Sequence, residues 1–532
     1  MNAVIPAPAV PTKTPGGSLP VGGPWHVRAD PPLLTTAATV RDLLTPHLGD
    51  RLLPVDDQGD GLVLQLTHDD APPRPRRTHG VCPTGEMEPQ DESYELTVDT
   101  AGITCRARTA AGAFRAAMSA AQLLLTTAPQ GTISHQVMGD APHFAWRGLM
   151  LDPARTFLSG DEIRRLIDAA ALYKLNVLHL HLTDNEGWRL EIPSLPALTR
   201  PADGAAPAHY TAAEYEALQE YAALRHITLI PEIDLPGHCA ALRQALPDLP
   251  DAPAPDSLPA QVSFTSPLDL TEPRTHTAVS TLLADVCALT RGPYVHIGGD
   301  EVLGMTQEGF ASSVRQARDL VRKFGKVPLA WQEASRAGVE DGEVLQHWVD
   351  TQMMDLPETA ADLAARPRLE AAGFTLEFAH ALKRFFAPSD DDLARIVAGG
   401  GHVLLSPQSH LYLDRPYSSD ITPPDCPSDT AALGFPSYRP QSVRHTAAWD
   451  PSSHPVPEEQ IAGVEATLFA ERLRGIDDVT TLLLPRLPSV AETAWTGTAP
   501  DWAEYRQRLG LHASWWQQRG LRHFPATDVP WQ

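Results

Sequence analysis

Two neighbouring carboxylic acids, Asp300 and Glu301, follow a glycine pair at the end of an apolar segment, in the run VHIGGDEV at 295–302. Gly298 and Gly299 lack a Cβ, so the backbone can turn tightly there or approach a ligand closely. Two carboxyl groups held close together do not both ionise freely, so one tends to stay protonated and can act as a general acid near neutral pH. An isolated Asp-Glu pair more often caps a helix, so the rest of the chain decides between these interpretations.

Charged side chains follow three other apolar segments in the same way. The motif LDPAR contains Arg155, whose five fixed donors suit a pair of hydroxyls or a carboxylate, although a lone arginine is more often a surface ion-pair partner. In HLHLTDNEGW, His179 and His181 point to one face of a strand, and this spacing also suits a metal ion. The motif PEIDLPGH places a histidine near acids whose pKa it can tune, unless that histidine is merely structural. The other polar candidates in these motifs are Asp152, Asp184, Glu232, Asp234 and His238.

Aromatic side chains end or follow the later apolar segments. Any one of them is more often part of a protein core than of a site. Several aromatic rings at one mouth would instead form a pocket for an apolar patch of a ligand. The candidate residues in these later segments are Trp331, Trp348, Tyr412, Asp414, Phe469 and Glu471.

The segments that carry these residues alternate with helical stretches from about residue 145, which is typical of parallel β/α units. Eight strands are predicted, and eight parallel strands close a barrel whose catalytic groups lie on the loops after the C-terminal strand ends. The predicted strands span about 148–152, 176–182, 227–232, 294–298, 327–331, 344–348, 402–406 and 463–468.

The predicted fold class is therefore α/β, a TIM (β/α)8 barrel preceded by a small α+β domain. The small domain is indicated by strand patterns at 62–66 and 94–98 and by an amphipathic helix at 112–125. The predicted division is a flexible Pro/Gly-rich leader at 1–24, the non-catalytic α+β domain at 25–140, the barrel at 145–500 and a C-terminal helical segment packed on the barrel at 501–532.

The composition argues against several classes of protein. A net charge of −24 repels a polyanion, so nucleic acid is not an expected partner. The five cysteines are odd in number and show no CxxC spacing, which argues against a disulfide framework and a structural zinc site. Neither a secretory signal nor an apolar run long enough to cross a membrane is evident, so we expect a cytoplasmic protein without a membrane partner.

The motifs RGLMLDPAR, KLNVLHLHLTDNEGW, PEIDLPGH, HIGGDEV and YLD, together with two strand-end tryptophans, resemble the glycoside hydrolase family 20 β-N-acetylhexosaminidases in this order. The resemblance covers about residues 145–500, and the preceding domain is similar to the family's non-catalytic α+β domain. It implies a TIM barrel that removes terminal N-acetylglucosamine (GlcNAc) or N-acetylgalactosamine (GalNAc) from β-linked glycans with retention of configuration. The substrate's own 2-acetamido oxygen would attack the anomeric carbon, in place of the usual carboxylate nucleophile. We expect neither a metal nor a cofactor.

The resemblance also implies roles for single residues. Asp300 would orient and stabilise the acetamido group as it becomes an oxazolinium ion, while Glu301 would protonate the leaving oxygen and then deprotonate water. Asp184 and His238 would form a relay that supports Glu301. The residues implied to contact the sugar are Trp331 and Trp348 at the acetamido methyl, Tyr412 at its carbonyl oxygen, and Arg155, Asp414 and Glu471 at ring hydroxyls.

The chain departs from the family pattern at two places. Phe469 stands where the family usually has a third pocket tryptophan, and phenylalanine offers less stacking area and no N–H donor. Asp184 is followed by Asn185, where many members have two consecutive aspartates. The first departure puts pocket tightness and substrate preference in doubt, and the second puts the relay in doubt.

Two other functions remain open from the residues alone. A metal-dependent barrel hydrolase would use His179, His181, Asp300 and His238 as ligands. A catalytically silent glycan-binding protein would keep the same pocket. The sequence leaves open the natural glycan, the choice between GlcNAc and GalNAc, the release of single sugars or disaccharides, and the oligomeric state.

Overall fold

The structure, a computed structural model, begins with a small domain that packs two helices against a sheet. The five-stranded sheet has the order β2-β3-β5-β4-β7, with β2, β3 and β5 parallel and β4 antiparallel to both of its neighbours. A separate antiparallel pair joins β1 and β6. The described residues are 3–9, 16–54, 61–69, 77–128, 131–200, 207–253, 267–350, 356–371 and 373–532. The strands are β1 Ser18–Pro20, β2 Trp25–Ala29, β3 Leu62–His68, β4 Tyr94–Val98, β5 Gly102–Ala107, β6 Thr132–Ser134 and β7 Gln136–Asp140, and the helices are α1 Leu34–Leu48 and α2 Ala110–Leu125.

Helix α2 joins the small domain to the rest of the chain. Its N-cap Thr109 accepts a hydrogen bond from the Gly112 amide, and nearly all of its side chains are buried. Arg115 on this helix donates from Nε to Glu92 Oε1 over 2.7 Å, and Arg147 of the following strand donates from Nη2 to Glu92 Oε2 over 2.7 Å. Although burial raises it, the two guanidinium groups hold the pKa of Glu92 below its usual range. This buried ion-pair cluster fixes the small domain against the second part of the chain.

The start of the chain contradicts the prediction of a flexible leader wherever residues 1–24 are described. Val4 and Ile5 are fully buried, and the Ile5 amide donates to Gln122 Oε1 over 2.7 Å. Ala7 donates its amide to Glu492 Oε2, and Ser18–Pro20 forms β1. The Pro/Gly composition was a misleading guide because the apolar residues among the prolines find partners far away in the sequence.

The second part of the chain is a closed barrel of eight parallel strands, which confirms the predicted TIM-like fold. The ring is closed by β15 against β8, which pair in parallel over six residues from Trp146 to Leu151. The strands are β8 Trp146–Leu151, β9 Val177–His181, β10 Thr228–Glu232, β11 Tyr294–His296, β12 Val327–Trp331, β13 Val344–His347, β14 His402–Leu405 and β15 Ile461–Leu468.

The interior of the barrel is layered. An apolar layer at the lower end takes one side chain from each strand: Trp146, Val177, Ile230, Tyr294, Leu329, Val344, Leu404 and Ala462. Above it lies a polar layer in which Glu465 accepts hydrogen bonds from His179, Gln346 and, through its other oxygen, Trp146. The apolar layer closes the bottom of the barrel, while the polar layer supports the side chains at the mouth.

The remaining helices follow the strands or extend their loops. Helix α3 begins with a capping box in which Ser159 and Glu162 satisfy each other's backbone amides. The helices are α3 Gly160–Leu172, α4 Ala212–Ala223, α5 Ala240–Ala245, α6 Pro273–Leu289, α7 Gln307–Lys323, α8 Ala360–Ala364, α9 Pro367–Ala371, α10 Leu376–Phe386, α11 Asp392–Ala398, α12 Gln408–Leu411, α13 Ser428–Ala431, α14 Val443–Ala447, α15 Ile476–Leu483, α16 Leu487–Thr496, α17 Trp502–Leu509 and α18 Ala513–Gln518.

The last two helices lie against both the barrel and the start of the chain. Trp516 on α18 donates from Nε1 to the Tyr173 hydroxyl over 2.9 Å. Arg508 on α17 donates to the Val4 carbonyl, and His512 Nε2 lies 2.9 Å from the Ala3 carbonyl oxygen. None of the helices in the described part of the chain has the length and apolar character that crossing a bilayer requires.

Candidate active site

The loop after β11 brings Asp300 and Glu301 to the mouth of the barrel. The strand ends at His296, two residues earlier than predicted, because Gly298 and Gly299 adopt φ angles of +67° and +98°. A Cβ on Gly298 would collide with the carboxylate and Cα of Asp234. Glu301 itself has a φ of +45°, a conformation that is strained for a residue other than glycine. The glycine pair therefore allows a close backbone approach that places both acids in one cavity.

A chain of alternating carboxylates and imidazoles runs from Glu301 down into the barrel. Glu301 Oε2 lies 3.8 Å from His238 Nε2, and His238 Nδ1 lies 3.1 Å from Asp184 Oδ1. Asp184 Oδ2 lies 2.9 Å from His181 Nε2, and His181 Nδ1 lies 2.6 Å from Glu232 Oε2. The structure thus brings Asp184 and His238 together beside Glu301, and it continues the chain by two further residues.

The surroundings of this series of carboxylates and imidazoles favour the protonated form of Glu301 at its outer end. Burial raises the pKa of Glu301 to about 7, against the lowering effect of His238. The neighbouring charge of Asp300 also raises the pKa of Glu301 but contributes less than burial. The pairing of two acids, which the sequence predicted as the cause, is therefore secondary. Although burial opposes it, His238 and Arg155 hold the pKa of Asp184 well below its usual range. Glu301 can therefore exchange a proton near neutral pH while Asp184 stays ionised.

Glu232 is a buried hub beneath the acid. Its Oε1 accepts a hydrogen bond from Trp331 Nε1 over 2.7 Å and lies 3.1 Å from His296 Nδ1. Its Oε2 lies 2.6 Å from His181 and 3.2 Å from His179. Although burial raises it, His181 and His296 hold the pKa of Glu232 well below its usual range. Glu232 was predicted from the sequence only as an acid at a strand end. No role could be predicted for it, because its partners come from neighbouring strands.

The four ligands of the alternative metal site do not form one set in the described residues. His179 belongs to a close group with Glu232 and His296, whereas Asp300 lies with His238 and Glu301. The two histidines of the HxH motif instead share the carboxylate of Glu232. Their side chains do face the barrel interior together, as the spacing predicts.

Three aromatic rings form one wall of the cavity. The rings of Trp348 and Tyr412 are nearly parallel, with centroids 6.1 Å apart, and Phe469 lies 5.4 Å from Tyr412. Trp331 is only 1% exposed, its Nε1 donates to Glu232, and it is not among the described residues that line the cavity. The structure therefore places Trp331 behind this wall, as a support that reaches down to the hub.

Arg155 lies between the acid side of the cavity and the opposite side. Its Nη2 lies 2.7 Å from Asp184 Oδ2, and its Nη1 lies 3.2 Å from Asp152 Oδ2 and 3.9 Å from Glu471 Oε1. Its guanidinium also sits 5.5 Å from the centre of the Phe469 ring. Although burial lowers it, the carboxylates of Asp152 and Asp184 raise the pKa of Arg155 well above its usual value. Arg155 is thus a fixed cation at the rim.

Asp414 is buried near Glu471 and is not itself among the described residues that line the cavity. It is 2% exposed, and neither of its carboxylate oxygens has a side-chain hydrogen-bond partner within the described ranges. Burial and the nearby charge of Glu471 raise the pKa of Asp414 well above its usual range. Asp300 Oδ1 is likewise buried without a partner in the described part of the chain. Because Asp300 lines the cavity, its Oδ1 is available to a donor that a ligand would supply.

The cavity itself has a volume of about 610 Å³ and includes residues that the sequence analysis did not single out. Four of them recur every fourth residue, at Phe374, Phe378, Leu382 and Phe386, in or just before α10. That spacing is the signal that could have predicted an apolar helix face. Glu333 was also missed: it accepts a hydrogen bond from Trp348 Nε1 over 3.0 Å, and burial followed by the charge of Asp300 raises its pKa well above the usual value.

Comparison with known proteins identifies the two parts of the chain. The family model described as glycosyl hydrolase family 20, catalytic domain, matches residues 144–498, and the model described as domain 2 of the same family matches residues 1–141. A β-N-acetylhexosaminidase from Cellulomonas fimi is 34% identical over 520 residues, which cover 94% of each chain. A β-hexosaminidase from Vibrio furnissii is 29% identical, covering 75% of this chain and 64% of that protein.

The solved structures agree with these matches. A mutant Streptomyces plicatus β-hexosaminidase in complex with its product GlcNAc superposes with a TM-score of 0.77 at 29% identity, covering 100% of this chain and 98% of that one. A family 20 β-N-acetylhexosaminidase from Streptomyces coelicolor superposes with a TM-score of 0.76 at 29% identity, covering 100% and 99%. These comparisons confirm the family and the hydrolase activity predicted from the motifs.

Proposed function

Because the chain belongs to glycosyl hydrolase family 20, as a β-N-acetylhexosaminidase, we propose that it removes terminal β-linked N-acetylhexosamine with retention of configuration, by substrate-assisted catalysis. The observation that carries the proposal is the different surroundings of two adjacent acids. Glu301 stands at the end of an imidazole-carboxylate chain with a pKa raised to about 7. Asp300 lines the same cavity as Trp348 and Tyr412, and its buried Oδ1 has no partner among the described residues.

In the first step, protonated Glu301 donates its proton to the glycosidic oxygen as the bond from that oxygen to the anomeric carbon breaks. The carbonyl oxygen of the substrate's acetamido group attacks the anomeric carbon from the opposite face and forms an oxazolinium ion. Asp300 orients the acetamido N–H and stabilises the positive charge that develops there. The nucleophile is already bonded to the sugar, so holding it in line gives a high effective molarity.

In the second step, ionised Glu301 takes a proton from a water molecule that attacks the anomeric carbon. The bond from the acetamido oxygen breaks, and the acetamido group is restored. The two displacements each invert the anomeric carbon, so the product keeps the β configuration. The same residue serves as acid and then as base, which suits a pKa near neutral pH.

The rest of the cavity would hold the sugar for these steps. Trp348, Tyr412 and Phe469 form an apolar wall for the acetamido methyl, with Trp331 supporting it from behind. Tyr412 would donate its hydroxyl to the acetamido carbonyl oxygen, and Arg155, Asp414 and Glu471 would bind ring hydroxyls. The Streptomyces plicatus relative is described with GlcNAc as its product, which supports GlcNAc among the accepted sugars.

The proposal is tested by the dependence of turnover on the N-acetyl group. Purified protein is assayed with p-nitrophenyl β-glycosides of GlcNAc, GalNAc and glucose, and the first-formed sugar is followed by NMR. We expect rapid release from the N-acetylated substrates, a β-anomer as first product, strong inhibition by a thiazoline analogue of the oxazoline, and a rate on the glucoside that is lower by orders of magnitude. Equal turnover of the glucoside, or an α-anomer as first product, would contradict the mechanism.

A further inference from the structure

An insertion between β13 and β14 supplies a second, purely apolar part of the cavity wall. Among the described residues of this insertion, each one that lines the cavity is apolar: Leu356, Phe374, Phe378, Leu382 and Phe386. The outward face of α10 is polar instead, since Glu377 and Arg384 are exposed and Lys383 Nζ pairs with Glu358 over 3.0 Å. An amphipathic helix normally turns its apolar face to a protein core. Here that face borders the active-site cavity.

The apolar face extends outward from the aromatic wall of the active site. Phe386 is 3% exposed and contacts Trp348 edge-on with centroids 5.7 Å apart, so the inner end of α10 touches the sugar-binding wall. Leu382 and Phe378 follow at four-residue intervals and are half-buried. Eight residues of α-helix span about 12 Å, so the face continues well beyond Trp348. Phe374 extends it further, with its ring 5.1 Å from that of Phe378.

The chemistry of this face selects among the groups that a substrate could carry beyond the reacting sugar. A sugar bound against Phe378 and Leu382 would bury hydroxyls beside side chains that offer no donor or acceptor, and unpaired buried hydroxyls are unfavourable. An alkyl or aryl group buries no polar atom there. Exposed apolar surface that is continuous with a catalytic cavity is typical of a binding site for such groups.

We propose that the apolar face of α10 binds an apolar aglycone, an alkyl or aryl group attached to the anomeric oxygen of a β-N-acetylhexosaminide. The inference rests on the proposed function, because the aglycone is the leaving group of that reaction. Glu301 would protonate the oxygen that joins the two parts, while Phe378 and Leu382 contact the departing apolar group. The face thereby sets the enzyme's preference among leaving groups and takes no part in the bond-breaking step.

The test compares octyl and methyl β-N-acetylglucosaminides. Both release a simple alkanol and need the same proton from the acid, so the ratio of their kcat/KM values reports the contacts of the longer chain. We expect the octyl glycoside to be favoured at least about tenfold, which corresponds to the transfer of roughly two methylene groups out of water. The variants Phe378→Ser and Leu382→Ser should each lower this ratio, whereas Arg384→Ser on the outward face of α10 should leave it unchanged.

Several outcomes would overturn the inference. A wild-type ratio near one would show that the octyl group makes no productive contact with the protein. An unaltered ratio in both serine variants would show that the octyl group binds elsewhere. If Phe378→Ser lowered kcat/KM for N,N'-diacetylchitobiose more than for the octyl glycoside, the face would bind the leaving sugar of the disaccharide and not an apolar group. Misfolding of a variant would lower kcat/KM for both glycosides and leave the ratio of the two values unchanged. The ratio measured with the wild-type protein tests the inference without any variant. Absence of turnover with any N-acetylated glycoside would instead refute the proposed function, and both proposals would fall together.

Discussion

The two sides of the active-site cavity differ in how their carboxylates are paired. On the acid side, Asp184 has a partner at each oxygen, with His238 at Oδ1 and both His181 and Arg155 at Oδ2. On the other side, near Glu471 but outside the described lining of the cavity, Asp414 is equally buried, yet its oxygens have no side-chain partner within the described residues. We infer that the acid side is arranged before a substrate binds, whereas the other side obtains its partners from the sugar. Such preorganised charge is the main source of electrostatic catalysis.

The largest effect is expected at the tip of the acid side. Glu301→Gln keeps the shape but removes the proton donor, so kcat/KM for a substrate with a poor leaving group should fall by roughly a hundredfold to ten-thousandfold. A substrate with a dinitrophenyl leaving group needs little protonation and should lose much less in the first step. Steady-state kinetics with both substrates measure this. The matched control is Glu308→Gln at an exposed position of α7, and similar losses in the two variants would contradict the role of Glu301.

The paired acid should matter for both folding and activity. Asp184→Asn leaves His238 and Arg155 without their shared anion, and removal of one partner from a buried charged group typically destabilises a protein by about 3–5 kcal/mol. We expect a lower denaturant midpoint together with a loss of turnover. Unfolding followed by tryptophan fluorescence and an activity assay on the same sample provide the two measurements. Wild-type stability in this variant would mean that the network is not preorganised by charge.

The unpaired acid should matter for activity alone. Asp414→Asn replaces a buried carboxyl group that has no side-chain partner among the described residues, so the denaturant midpoint should stay the same or rise. Loss of a charge-assisted hydrogen bond to a sugar hydroxyl should lower kcat/KM by roughly tenfold to a hundredfold. The two aspartate variants, measured side by side, test the comparison directly. A destabilised Asp414→Asn protein with normal kinetics would reverse it.

The pH profile should report the coupling between His238 and the acid. The general acid must be protonated, so kcat/KM should fall as pH rises through the Glu301 pKa of about 7. His238 lowers that pKa, and His238→Gln should therefore shift the basic limb to higher pH, by roughly one to three units for one nearby charge. Rate measurements between pH 5 and 9 locate the limb. An unshifted limb would separate His238 from the ionisation of Glu301.

The smallest effect is expected at the aromatic wall between the two sides. Phe469→Trp enlarges a ring that already contacts Tyr412 and Arg155. Aromatic contacts of this kind contribute about 0.5–1.5 kcal/mol, so KM for the N-acetylated substrate should change by no more than roughly tenfold. The GlcNAc to GalNAc preference is measured in parallel. A loss of several orders of magnitude would indicate that the larger ring does not fit.

Short-range sequence signals were sufficient for the barrel and for the position of the acids. Apolar runs followed by polar residues identified the strand ends. The Gly298-Gly299 pair predicted the turn that places Asp300 and Glu301 at the mouth of the barrel. These short-range signals did not predict the buried hub at Glu232. Glu232 meets His181 and His296 because strands β9, β10 and β11 pair in a register that places these three residues side by side. Strand register depends on the closed barrel as a whole, so local sequence does not supply it.

Tertiary partners explain the other differences. The four-residue spacing from Phe374 to Phe386 predicts an apolar helix face, but only the fold shows that this face borders the cavity and not the core. The Pro/Gly composition of the first residues indicated a flexible segment, although Ile5 is bound by Gln122 more than a hundred positions away. Trp331 ends a strand as predicted, yet its indole N–H is directed down to Glu232.

The seating of the first residues against α17 and α18 has a practical consequence for handling the protein. Ala3 and Val4 are held by His512 and Arg508, so a disturbance of these residues would act directly on α17 and on the residue that precedes α18. Trimming the first eight positions would strip Arg508 and Gln122 of carbonyl acceptors that they currently use.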